Sequence, residues 1–249
     1  MVKYLNAEIY KLTHRKTYLF GFFAFILGGV TAFMVLCKYN AGNGASLNFF
    51  LMNLPPLFMT GMFLVLMVSD MVFSDQYKFN TLKNEASYGL PRTRIYLGKL
   101  IATALAAVVI CAIIILFYAG IAAILFPVED GMGEVLTHLG QTLALSLPLW
   151  FGGLGFGYML LFVMKGSTSA TMVYVLVLGM GDTILDLLEM IQPRLSEVLE
   201  TVRSWLLMTP FNQMDVSSAA IGHAWLVGMV WLIAATLIGV VIFQKREIN

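Results

Sequence analysis

Six apolar runs, all but the fifth long enough by themselves to cross a bilayer as a helix, recur along this 249-residue chain and limit what it can fold into. A helical span needs about 20 mostly apolar residues. The runs fall at about residues 18–37, 49–73, 100–126, 139–164, 170–188 and 219–243. Composition agrees: 59% of residues are hydrophobic and 12% charged, whereas a soluble domain carries about 25% charged residues. The expected fold is an all-α polytopic membrane protein, one transmembrane domain over 1–249. The two cysteines, Cys37 and Cys111, lie in or beside apolar runs and read as buried free thiols.

Residues 3–16 read as a short amphipathic helix. Leu5, Ile9 and Leu12 fall at i, i+4 and i+7, and Lys3, Lys11, Arg15 and Lys16 are available for lipid headgroups. The segment is either an interfacial helix feeding the first span or a basic flank that sets topology. The first run spans in full and no small-x-small cleavage pattern follows it, so a retained span is expected rather than a signal peptide. Pro55 and Pro56 lie near the outer end of the second run, where they kink or delay a helix. The fourth run holds Pro148 and four glycines, 152, 153, 155 and 157. Gly153 and Gly157 form a GxxxG pair, which lets helix backbones approach closely, within the chain or between subunits.

The fifth run is apolar only from Ala170 to Gly181, after which Asp182, Asp186 and Glu189 intrude. Acids inside a membrane are costly and often functional, which makes Asp182 a candidate transport-path or proton-relay residue. The other reading puts Asp182 near the outer interface, exposed by a break at Gly179 and Gly181. Residues 190–218 form an outer amphipathic segment, re-entrant or lying on the surface. Leu195, Val198, Leu199, Val202 and Leu206 make one stripe of it, opposite Glu197, Glu200 and Arg203.

Charge sets the orientation. With both termini cytoplasmic, twelve of the fifteen Lys and Arg residues face inward, and only Lys38, Arg194 and Arg203 face outward. Five of the twelve lie in the loop 74–99: Lys78, Lys83, Arg92, Arg94 and Lys99. No GxxxxGK[ST] phosphate loop occurs, so the chain is not itself a P-loop ATPase. His14, His138 and His223 are scattered without metal-ligand spacing, and no catalytic or metal site is expected.

The central loop is ordered by its own residues. Asn80 or Thr81 can cap about two helical turns, Gly89 suits the left-handed position that ends them, and Pro91 opens the next helix. A short helix held between two spans can transmit a push as a rigid body, or serve as a plain connector. The stretch resembles the loop between the second and third spans of bacterial type-2 ABC exporter permeases. The matching residues are Asp75, then Asn80-Thr81-Leu82-Lys83, then Gly89-Leu90-Pro91-Arg92 followed by Arg94, and Lys99. Asp75 stands where that pattern has Glu, Asn80 stands where it has Gly, and either Arg92 or Arg94 matches its arginine.

The resemblance implies a permease with six spans, an N-terminal interfacial helix and a cytoplasmic coupling helix that docks on a separate P-loop ATPase. Asp75, Lys83, Glu85, Arg92 and Arg94 would contact that ATPase or brace the docking helix. ATP and Mg would be bound by the partner, with no cofactor in this chain. Two permease copies, identical or sister chains, would enclose the substrate in a bacterial cytoplasmic membrane. Small permeases of this kind suggest a peptide antibiotic, drug or lipid-like substrate, and nothing suggests nucleic acid. The rival readings are an ion-coupled secondary carrier using Asp182, a membrane-embedded enzyme, and a signalling subunit that docks an ATPase without moving a solute.

Overall fold

The computed structural model describes residues 2–14, 16–41, 44–78, 89–164, 167–213 and 215–245. Ten α-helices are described: α1 (Val2–Thr13), α2 (Lys16–Ala41), α3 (Leu47–Met52), α4 (Pro55–Lys78) and α5 (Arg92–Leu125). They continue as α6 (Met132–Met164), α7 (Ser167–Ile191), α8 (Ser196–Ser204), α9 (Thr209–Gln213) and α10 (Ser218–Lys245). A 3₁₀ turn, Pro193–Leu195, precedes α8. Five helices are long and apolar enough to cross a membrane: α2 over Gly21–Asn40, α5, α6, α7 and α10. α4 carries a shorter apolar stretch, Leu57–Asp70.

The bundle is built around α6. Of its most apolar stretch 72% is buried, against 11% for α2 and 17% for α7, so α6 is the core and the other two are largely bare. Glycine makes this possible. A β-carbon at Gly153 would lie 2.8 Å from Tyr174 Oη and 2.9 Å from Met62 Cε, and one at Gly157 would lie 3.0 Å from Leu66 Cδ1. The GxxxG pair therefore packs within the chain, letting α4 and α7 close on one face of α6. Gly152 and Gly155 open another face to α10, where their β-carbons would come within 2.9 Å of Gly228 O and Leu232 Cδ1. The tightest approach at any glycine among the described residues is made from α10: a β-carbon on Gly228 would sit 2.1 Å from the Pro148 carbonyl oxygen.

Buried polar groups pin these contacts. Tyr174 Oη donates to Met62 O (2.9 Å), Trp150 Nε1 to Phe58 O (2.9 Å) and Tyr118 Oη to Phe50 O (3.2 Å). Each bond satisfies a donor that would be costly to bury alone.

Two expectations shift. The second run is not one kinked helix over 49–73. Ser46 caps α3 through Phe49 N, the chain turns at Asn53 and Leu54, and α4 starts afresh at Pro55. Proline is welcome in a first helical turn but disfavours helix in the residue before it, so Pro55 divides the run instead of bending it. Between those helices and α5, Asn48 Nδ2 donates to Glu129 O (3.2 Å) and Asp130 O (3.0 Å), holding the acidic turn near Gly131. The fifth run continues as a helix beyond its apolar part, but without the break at Gly179 and Gly181, since α7 runs unbroken through both to Ile191. The third helix starts at Arg92, directly after Pro91 as expected and before its apolar run at about residue 100. Its 34 residues reach about 51 Å at 1.5 Å each, well beyond the roughly 30 Å of a hydrocarbon core.

Candidate functional site

Residues 92–99 form the first two turns of α5, and successive turns grip different neighbours. Pro91 stands at the N-cap with extended backbone (φ −63°, ψ 134°), and Gly89 takes the left-handed conformation expected of it (φ +81°). Arg92 Nη1 then donates to the carbonyl oxygens of Phe243 (3.1 Å) and Gln244 (2.8 Å) at the end of α10. The last carbonyls of a helix lack partners within it and carry partial negative charge, so a guanidinium there satisfies both. Gln244 Nε2 returns a bond to Thr93 Oγ1 (2.8 Å). Arg94 points outward and is exposed.

One turn on, Tyr96 is fully buried against Tyr158 and Phe162 of α6, with ring centroids 5.3 Å and 4.7 Å away. Its hydroxyl fills the space that a side chain at Gly239 of α10 would need. Lys99 follows, with 0% of its surface exposed. Its Nζ meets Glu8 Oε2 of α1 at 3.0 Å, Lys11 Nζ meets the other carboxylate oxygen at 2.7 Å, and Glu8 itself is 2% exposed. The Lys99 ammonium also stands 5.7 Å from the centre of the Tyr4 ring, where the aromatic face attracts a cation.

Of the residues picked out in the sequence, Arg92 is thus placed at a helix–helix junction and Arg94 on the surface beside it. Asp75 lies near the end of α4. Lys83 and Glu85, with the capping residues Asn80 and Thr81, lie outside the described residues. Sequence reasoning missed Glu8, Thr93 and Gln244. Only Glu8 left a signal there: it falls between Leu5 and Ile9 on the stripe taken as apolar, and a carboxylate on that face needs a buried cation.

Asp182 belongs to a separate cluster at the opposite end of the bundle. Its carboxylate accepts from Thr209 Oγ1 (3.1 Å) and from Asn212 Nδ2, both on α9. Arg203 of α8 pairs with Asp186 and, at 3.6 Å, with Glu189. Donors from α10 hold the end of α8, His223 Nε2 lying 2.9 Å from Ser204 O and Trp231 Nε1 donating to Trp205 O (2.8 Å). α8 and α9 are therefore strapped across the ends of α7 and α10. Asp182→Ala is expected to speed amide hydrogen exchange across residues 205–213 and leave α4–α6 unchanged, as hydrogen-exchange mass spectrometry would read.

Among the described residues no group of three or more His, Cys, Asp or Glu side chains could hold a metal ion, and both cysteines are free thiols, half-buried. A cleft of about 320 Å³ between α4, α5 and α6 is walled by apolar side chains, Val65, Ala107, Cys111 and Leu147 among them. Trp150, which also lines it, spends its N–H on Phe58 O.

Comparison with curated proteins returns no match. Residues 4–191, about three quarters of the chain, match the family described as "ABC-2 family transporter protein", from the start of α1 to the end of α7. With apolar helices gathered about α6, and with the junction at residues 92–99 inside the matched stretch, the chain belongs to the ABC-2 family and is a multi-pass membrane permease.

Proposed function

We propose that this chain is the membrane-spanning subunit of an ATP-binding-cassette exporter, driven by a separate cytoplasmic P-loop ATPase. The observation that carries the reading is the family match over residues 4–191, since permeases of that family normally work with such ATPases. α4 then serves as the sixth span: its 24 residues reach about 36 Å at 1.5 Å each. Both termini and the loop 74–99 face the cytoplasm of a bacterial cell, as the Lys and Arg distribution favours. Asp75, Lys83, Glu85 and Arg94 contact the ATPase, while Arg92 braces the same segment from behind. A second permease, identical or sister, completes the path for a peptide antibiotic, drug or lipid-like molecule. The almost entirely apolar walls of the α4–α5–α6 cleft are in keeping with a substrate of low polarity.

The test is co-purification. Detergent-solubilised protein from its native cells is expected to bring down a soluble P-loop ATPase, and disruption of residues 75–94 is expected to lose it. Lys83→Glu with Arg94→Glu should release the ATPase while leaving the permease inserted. Recovery of no ATPase in several mild detergents overturns the reading. The carrier alternative rests on Asp182, whose hydrogen bonds to Thr209 and Asn212 favour a strapping role.

A further inference from the structure

The two turns at residues 92–99 point to a role for α1 that neither the family match nor the loop itself assigns. We infer that the Glu8–Lys99 ion pair makes α1 a rigid arm of α5, so that a push delivered at the loop moves α1, and the start of α2 behind it, together with α5. The inference rests on the permease reading for the source of the push. The linkage itself rests on geometry alone.

The argument begins with burial. Lys99 is wholly enclosed and Glu8 almost so, at 3.0 Å separation. A charge removed from water is held by its counter-ion, because separating the two leaves each desolvated in a medium of low dielectric. Such a pair resists opening far more than an exposed one, which water and salt screen. α1 also seats on the bundle by one face. Tyr4, Leu5, Glu8 and Ile9 are at least half-buried, at the spacing of one helical stripe, while Asn6 and Ala7 on the other side are exposed. The helix is bolted sideways to α5 by its charged residue, and its apolar neighbours fill in around the bolt.

Position gives this consequence. Lys99 lies two turns beyond Pro91, which follows directly on the loop. Arg92 and Thr93 tie the same turns to the end of α10, and Tyr96 ties them to α6. A displacement between α4 and Pro91 is passed at one end to α4 and at the other to residues 92–99, and from the latter to three partners. The link to α1 is ionic and buried. Thr13 ends α1 and Lys16 begins α2, so movement of the arm is handed to α2, whose own packing on the bundle is slight.

The experiment uses nitroxide labels on exposed positions of α1 and α5, Asn6→Cys and Leu116→Cys, in a chain carrying Cys37→Ala and Cys111→Ala. In phosphatidylethanolamine–phosphatidylglycerol nanodiscs, pulsed EPR should give one narrow distance distribution for the parent. Lys99→Met and Glu8→Gln should broaden and shift it, and the exchange Glu8→Lys with Lys99→Glu should narrow it again in part. An unchanged distribution in Lys99→Met overturns the inference, as does an exchange variant that inserts well yet stays as broad as the single variants. In the complex with its ATPase, trapping with ATP and vanadate should leave the parent distance unmoved, and a shift there overturns the rigid arm. If no ATPase co-purifies, the permease reading fails and the transmission role with it. The nanodisc distances still decide whether the pair fixes α1 to α5.

Discussion

Gly228→Ala is expected to lose most of the correctly assembled protein, although it adds a single methyl group. The new β-carbon would lie 2.1 Å from the Pro148 carbonyl oxygen and 2.4 Å from its carbon. Both are backbone atoms of α6, so no side chain can rotate aside. Relief requires α10 to back away from α6, and that opens the contacts of Gly152 and Gly155 along the same seam. Overpacking a well-filled core typically costs about 1–3 kcal/mol. A backbone clash with no flexible atom belongs at or above the top of that range. Gly28→Ala and Gly29→Ala are the controls, because nothing lies within 4 Å of a β-carbon at either position. They should be neutral or slightly stabilising, since alanine favours helix over glycine by about 1 kcal/mol. Thermal unfolding in detergent, followed by size-exclusion fluorescence, should separate Gly228→Ala cleanly from both controls. Equal melting temperatures for Gly228→Ala and Gly28→Ala would contradict the packing described for α6 and α10.

The second large effect concerns the buried ions. Glu8→Ala is expected to destabilise the permease more than Lys99→Met. The first removes the carboxylate shared by Lys11 and Lys99, losing the contacts at 2.7 Å and 3.0 Å together. The second removes one cation, substitutes an unbranched apolar chain, and leaves Glu8 with Lys11. Breaking a buried pair by deleting one partner costs roughly 3–5 kcal/mol, and Glu8→Ala should fall in that range with Lys99→Met below it. Lys11 is half-exposed, so Lys11→Ala should have the smallest effect of the three. The same melting assay ranks them, and a reversed order for Glu8 and Lys99 would contradict the shared carboxylate.

Much of this architecture is legible in the sequence, for a reason that runs through all of it. Hydropathy reports how long a helix stays apolar, which points to α2, α5, α6, α7 and α10 but not to their ends: α5 and α6 begin at Arg92 and Met132, before the apolar runs that mark them. It does not report which apolar helix is surrounded by protein. Only the glycine cluster at 152–157 set α6 apart, and it did so because close backbone approach requires small residues. Pro55 was recognised as a disturbance, but kink and break differ only in what the preceding residues do, and Ser46 decided that by capping a helix of its own. Gly179 and Gly181 misled in the opposite sense, since a glycine tolerated inside a helix looks the same in sequence as one that ends it. At the junction, Arg92 and Lys99 were visible as basic residues beside a span. Their partners were not, because Glu8 is 91 positions from Lys99, and the carbonyls that Arg92 caps carry no side-chain signature at all.

The seam between α6 and α10 also orders events during synthesis. α6 ends at Met164, whereas the helix that covers its glycine face begins at Ser218, beyond the stretch matched by the family. While the intervening residues are being made, the nascent chain holds a central helix with Gly152, Gly155 and the Pro148 carbonyl uncovered. That face is closed only when α10 arrives. Quality-control proteases and insertases in the membrane would therefore meet an open α6 in every chain that stops short of residue 218, so a truncation before α10 exposes the seam that holds the core.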